Sequence, residues 1–209
     1  MNMNLIYGMI GVNTAIFGYA AYAKMQAKQG YFENLIQFMQ HFTLNVTEVK
    51  NGRWYQTITS VFTHTDLFHY LGNMVSFYFL GQFLATTPLI TPGRFLIIAL
   101  GSGFTGSLFY LFNHQQKAQR NGGMDHTRGL GFSGAIMGVS AVAACLYPTA
   151  KVHLYGLIPV PLWGLVAGYA IYDGYYLNEN KSRISHSGHL GGLAFGLVYY
   201  LARLRFRRF

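Results

Sequence analysis

The sequence predicts an all-α, polytopic membrane protein with six spans in a single domain over residues 1–209. Three observations carry that expectation. Of 209 residues, 52% are hydrophobic and 10% charged. An ordinary soluble domain carries about 25% charged residues, so this chain has too few charges to coat a water-facing surface. The apolar residues gather into six stretches that approach the ~20 residues a bilayer crossing needs. Glycine is abundant, 25 of 209, which suits helices that approach one another closely in lipid. Mean hydropathy is only +0.24, because 16 tyrosines, the glycines and several polar residues lie inside the apolar stretches.

The elements follow in order. The first span is expected at about 3–23. A long connection, about 24–66, follows it. Within that connection Tyr31, Phe32, Leu35, Ile36, Phe38, Met39 and Phe42 recur at spacings of three and four, the pattern of an amphipathic helix lying in the membrane interface. Trp54 and Tyr55 suit the headgroup zone. The second span is expected at 67–87, ended by Pro88; after Pro92 the third runs 94–113. A polar loop, 114–130, holds Lys117, Arg120, Asp125 and Arg128. The fourth span, 132–147, ends before Pro148. The fifth, 158–176, is interrupted by Pro159 and Pro161, and the polar stretch Asn178 to His186 separates it from the sixth, 188–204.

The net charge of +9 does not indicate nucleic-acid binding. Four of the 15 basic residues (Arg203, Arg205, Arg207, Arg208) lie in the last seven positions and the rest are scattered. Six spans put both termini on one side, and this tail marks that side as cytoplasmic or matrix by the positive-inside tendency. The opposite loops also hold nine Lys or Arg, so the charge asymmetry is shallow. The membrane expected is a bacterial-type plasma membrane or the mitochondrial inner membrane, with lipid as a partner. The one cysteine, Cys145, excludes an internal disulfide. No cleavable signal peptide or Arg-rich transit peptide is expected in the first apolar stretch.

Ionisable groups within spans are expensive and tend to be functional. Span two carries His69 and, four residues on, Asn73, on one helix face. Span four opens with Gly131-Phe132-Ser133-Gly134, and span six with Gly188-His189-Leu190-Gly191-Gly192. Spans two, four and six all start on the same side, so His69, Ser133 and His189 share a depth below one surface. Gly134 and Gly138, and Gly188, Gly192 and Gly196, recur every fourth residue, a spacing that lets membrane helices meet closely and would bring Ser133 toward His189. A Ser–His pair is the minimum for nucleophilic catalysis. Backbone N–H groups at the start of span four, with His69 and Asn73, are candidate donors to an oxyanion. Each residue alone has a plainer reading: a span serine bonding its own backbone, a histidine or asparagine bridging helices, glycines that only pack. The coincidence of depth, side and residue type favours catalysis.

At these residues the sequence resembles the rhomboid intramembrane serine proteases. The family's GxSG element stands as Gly131 to Gly134, its His-x-x-x-Asn element as His69 to Asn73, and its late histidine with a glycine run as His189 to Gly196; His64 matches a recurrent family histidine. The likeness covers roughly 50–204, with wording similar to bacterial members and to the mitochondrial presenilin-associated-like branch. The extra span common in that branch is not found, which favours a compact bacterial-type core. The resemblance implies Ser133 as nucleophile and His189 as general base. It implies His69, Asn73 and the Ser133 N–H as the oxyanion site, and Gly131 as room for the substrate. The implied activity is cleavage of single-span membrane proteins near the membrane surface.

Two departures stand out: Tyr55-Gln56 where many relatives have Trp-Arg or Tyr-Arg, with Arg53 as a substitute anchor, and Met137 where many have an aromatic residue packed on the histidine. Asp173, near the end of span five on the same side as the site, is within reach of orienting His189 or His186, but a structural or interfacial carboxylate is the expectation. His186 is expected at a loop edge. His114, His126 and His153 are dispersed, so no metal site is expected, and no cofactor. Two other functions compete. A catalytically silent relative that binds membrane clients, or serves in an assembly, need not keep both Ser133 and His189. A small transporter or channel should carry charge at mid-span.

Overall fold

The computed structural model describes residues 2–120, 127–154, 156–179, 182 and 184–206. Asp125, His126, Lys181, Arg183, Arg207 and Arg208, read above as loop or tail residues, lie outside these.

Helix α1 (Asn2–Lys28) is followed by a turn at Gly30, whose φ of 96° favours glycine, and by α2 (Glu33–Phe42). Phe38 on α2 is buried against Ala20 and Ala23 of α1, while Ile36 stays 54% exposed. Leu35, Met39 and Phe42 of the expected stripe pack beside Phe38, whereas Ile36, and Tyr31 and Phe32 ahead of the helix, are exposed. Two short helices follow, α3 (Val46–Lys50), capped by the Asn45 side chain, and α4 (Gln56–Thr59). Asp66 caps α5 (Leu67–Ala85), its carboxylate accepting the His69 N–H at 2.9 Å. Helix α6 (Pro92–Arg120) starts on a proline, whose missing N–H needs no partner there. It runs a turn and more beyond the expected third span.

Helix α7 (Ser133–Leu146) is central. Every side chain from Ala135 to Ala144 is buried, because α5, α6, α8 and α9 pack around it. Small residues let so many neighbours approach. After α7 comes an antiparallel hairpin, β1 (Lys151–Leu154) with β2 (Ile158–Pro161), in the register Lys151 opposite Pro161 and Leu154 opposite Ile158. Residues 158–161, expected inside the fifth span, are therefore strand. Proline lacks the N–H a helix interior requires, and α8 (Leu162–Tyr175) starts after Pro161. Helix α9 (His186–Tyr199) continues into a π turn, Tyr200–Leu204.

Side-chain pins hold the two ends of the bundle. At one end Asn2 Nδ2 donates to Ile90 O at 2.6 Å, and Thr87 Oγ1 lies 2.9 Å from the Tyr147 hydroxyl. At the other, Lys24 bonds Thr65 O and the Phe17 and Tyr70 rings stack at 4.4 Å. The starts of α5, α7 and α9 share this second end. Large apolar side chains face outward, among them Phe68, Phe112 and Ile171, a surface suited to lipid rather than water. Among the described residues, α1 and α6 are long and apolar enough to cross a bilayer, and α7 is a shorter apolar helix. With 14 residues, α7 is roughly 21 Å long at 1.5 Å per residue.

Candidate active site

Glycine-to-backbone contact sets the centre of the site. A Cβ at Gly192 would lie 2.7 Å from the Gly134 carbonyl carbon, and one at Gly196 would lie 2.8 Å from Gly138 Cα. Helices α7 and α9 therefore touch backbone to backbone along the expected stripes. A third helix shares the junction: a Cβ at Gly106 on α6 would meet Gly188 O at 2.7 Å, and one at Gly138 would overlap Ser102. Ser102 and Gly106, four residues apart on α6, are the sequence signal of this third face.

This packing sets Ser133, first residue of α7, against His189 in the first turn of α9, with Ser133 Oγ 2.8 Å from His189 Nε2. The other ring nitrogen, Nδ1, lies 3.1 Å from both carboxylate oxygens of Asp173 on α8. Asp173 is 2% exposed and also meets His186 Nδ1 at 2.6 Å. Asp173 is thus buried in the bundle rather than interfacial, and the expectation of a loop-edge His186 is corrected: it is buried at the start of α9, ringed by Tyr172 and Tyr176. Met137 does not stand alone in place of an aromatic. With Ala141 it packs on Leu193, Val166 and Ala170, joining α7, α9 and α8.

The segment before Ser133 is seated on the first loop. Leu44 and Gly129 exchange both backbone bonds at 2.8 Å, and Gly131 N–H donates to Ser60 O at 3.0 Å. Gly131 has φ 125°, and a Cβ there would lie 2.8 Å from the His69 ring and 3.9 Å from Ser133 Oγ. The space between His69 and Ser133 thus stays open only because residue 131 is glycine. His64 is fully buried. Burial, then the neighbouring His69, pull its imidazole down to about 3, so it is neutral. Phe132 N–H points at His64 Nε2 at 3.4 Å and can only donate, so that nitrogen carries the lone pair. The group of Asn73 facing it at 2.9 Å is consequently the amide NH2. His69, Asn73, Gly131 and His64 are therefore contiguous beside Ser133. A narrow cleft of about 40 Å³, lined by Ser133, Gly131, His189, Ser185 and Tyr110, lies against the pair.

The loop is held by a second cluster. Glu48 pairs with Arg128 at 2.6 Å and Arg53 at 3.2 Å, and accepts from Gln56. Gln56 is fully buried, donates also to Gln40 O at 2.6 Å and accepts Asn45 N–H at 3.2 Å. Where relatives carry arginine, this chain distributes the anchoring among Gln56, Arg53 and Arg128 around one carboxylate. Burial pushes the Glu48 carboxyl up, but Arg128, Gln56 and Arg53 outweigh it and hold the group below its ordinary range. Among the described residues, no group of three or more His, Cys, Asp or Glu is arranged to hold a metal.

A family model for the Rhomboid domain matches residues 51–206. The chain is 34% identical over 179 residues to "RHOMBOID-like protein 12, mitochondrial" of Arabidopsis thaliana, covering 82% of this chain and 52% of that one. It is 27% identical over 198 residues to "Rhomboid protein 1, mitochondrial" of Saccharomyces cerevisiae, covering 94% and 52%. To "Rhomboid protease GluP" of Bacillus subtilis it is 28% identical over 156 residues, covering 71% and 26%. The chain spans about half the length of the first two relatives. It belongs to the rhomboid family, and is a mostly helical, polytopic membrane protein.

Proposed function

We propose that this chain is an intramembrane serine endopeptidase that cleaves single-span membrane proteins near the membrane surface. One observation carries the reading: a serine hydroxyl 2.8 Å from a histidine nitrogen, at the mouth of a cleft, in a rhomboid-family chain. In the reaction Ser133 Oγ bonds to the scissile carbonyl carbon while its proton passes to His189 Nε2. The carbonyl electron pair moves onto oxygen. Donors for that oxyanion are the Ser133 N–H, left without an intrahelical partner at the helix start, His69, and the second N–H of Asn73. Collapse breaks the C–N bond, and His189 returns its proton to the leaving amine. Water then releases the acyl group by the same steps in reverse order of partners. The substrate must unwind at the cleaved bond, because a helical peptide bond is closed by its own hydrogen bonds. Neither step calls for a metal or cofactor.

In the same reading α1 and α5 to α9 are the six spans, and α2 lies in the interface. Both termini lie on the cytoplasmic or matrix side in this reading, which the positive-inside tendency of the basic C-terminal sequence supports. The mitochondrial and bacterial relatives suit a mitochondrial inner membrane or a bacterial-type plasma membrane. The test is cleavage of a model single-span substrate in proteoliposomes. Wild type cleaves it, and Ser133→Ala and His189→Ala each bring cleavage below detection. Undiminished cleavage by Ser133→Ala contradicts the reading; an inert wild type that still binds the substrate favours a client-binding role.

A further inference from the structure

Asp173 breaks a local rule. It lies in the last turn of α8, where the helix dipole disfavours an anion. It is also buried, and a buried carboxylate is costly unless fully hydrogen-bonded. Sequence features that conflict with local preference are expected at functional positions. What Asp173 faces is the first turn of α9, where the dipole favours an anion, and two imidazoles.

The bonds around it also determine which nitrogen carries each proton. Ile184 N–H donates to Ser182 Oγ at 3.1 Å. That hydroxyl, which can both donate and accept, lies 2.8 Å from His186 Nε2. A carboxylate only accepts, so His186 carries a proton on Nδ1 and donates it to Asp173 Oδ1 at 2.6 Å. With one oxygen held this way, Asp173 receives the His189 Nδ1–H on the face it turns to α9. The His189 tautomer follows: Nδ1 protonated, and Nε2 bearing the lone pair that faces Ser133 Oγ at 2.8 Å.

We infer that Asp173 is a positioning residue for the serine–histidine pair, holding His189 in the tautomer that accepts the Ser133 proton, with His186 and Ser182 fixing the carboxylate in turn. The inference rests on the protease reading above. Asp173 acts only as an acceptor in this arrangement. When His189 accepts the Ser133 proton, the carboxylate compensates the imidazolium charge in a site shielded from water. The chain thereby uses a three-residue arrangement, Ser133, His189 and Asp173, drawn from three helices.

The experiment compares wild type with Asp173→Asn, Asp173→Glu and Ser133→Ala, reading both proteoliposome cleavage and fluorophosphonate labelling of purified protein. Asparagine keeps the shape but offers an NH2 that cannot accept from His189, favouring the wrong tautomer. The expected result for Asp173→Asn is a kcat lower on the order of 100-fold, with KM within about twofold. Labelling slows in parallel but reaches the wild-type stoichiometry, because the protein is folded and only its serine is less reactive. Asp173→Glu recovers at least a tenth of the lost rate. A kcat and labelling rate for Asp173→Asn within about threefold of wild type overturn the inference. So does a lowered labelling stoichiometry with an unchanged rate in the remaining fraction, which assigns Asp173 to folding alone. If wild type labels and Ser133→Ala does not, either of those results removes only the Asp173 inference. If wild type neither cleaves nor labels, the protease reading fails and this inference fails with it.

Discussion

The site is held from two sides by opposite means. On one side α6, α7 and α9 meet through Gly106, Gly138, Gly192 and Gly196, with carbonyls of the neighbouring helix where side chains would stand. On the other, the first loop and the segment before Ser133 are joined by Glu48, Arg53, Gln56 and Arg128. The first junction sets how near Ser133 comes to His189 and has no room for a methyl group. The second seats the segment that carries Gly131 and Phe132, and it depends on charge. Steric change should therefore destroy the first, while titration and polar substitution should loosen the second by degrees.

The largest expected effect breaks the steric side. Gly192→Val drives a branched side chain into the Gly134 backbone, so it destabilises the protein by about 3 kcal/mol or more. Thermal unfolding in detergent should show the loss, and cleavage should vanish with it. A valine variant of near-normal melting temperature contradicts backbone contact between α7 and α9. Next, Asn73→Ala removes a candidate oxyanion donor and should raise the barrier by about 2–4 kcal/mol, with the fold retained. Its measure is kcat on the model substrate; a change below threefold makes Asn73 purely a partner of His64.

On the polar side, Glu48→Gln leaves Arg128 and Arg53 without their carboxylate. A loss of about 1–2 kcal/mol is expected, since the pair is only partly solvated. The pH dependence follows from the same contacts. The folded-state carboxyl titrates below its ordinary value of 4.5, so its contribution is complete above that value and is lost as pH falls through the folded-state value. The stability gap between wild type and Glu48→Gln should be full at about pH 7 and narrow as pH falls below 4.5. A gap that widens on acidification reverses the assigned sign. The smallest effect is expected for His186→Phe, which removes one donor to Asp173 and leaves His189 in place: a kcat lower by about 3–10-fold, read against an unchanged labelling stoichiometry.

The same division explains what could be read from the chain itself. Ser133 and His189 were legible because depth follows from span order, and because glycines every fourth residue on α7 and α9 name the faces that meet. Hydropathy alone did not say that α6 completes that junction, although Gly106 and Ser102 lie four apart. Asp173 was not legible as a partner. It is 16 residues from His189, and a lone acid near a span end carries no spacing that names its contact. Gln56 read as a departure because one residue type was weighed, whereas the structure shares the anchoring among three side chains from distant parts of the chain. The hairpin at 151–161 was hidden by its composition, since Pro159 and Pro161 between apolar residues resemble an interrupted span as much as a strand.

The central claim is that Ser133 is a nucleophile activated by His189. Fluorophosphonate labelling of the purified protein in detergent tests it most directly, because it needs no knowledge of the substrate. Wild type should label on one residue, Ser133→Ala should not label at all, and His189→Ala should label orders of magnitude more slowly. Labelling of Ser133→Ala at the wild-type rate would contradict the account.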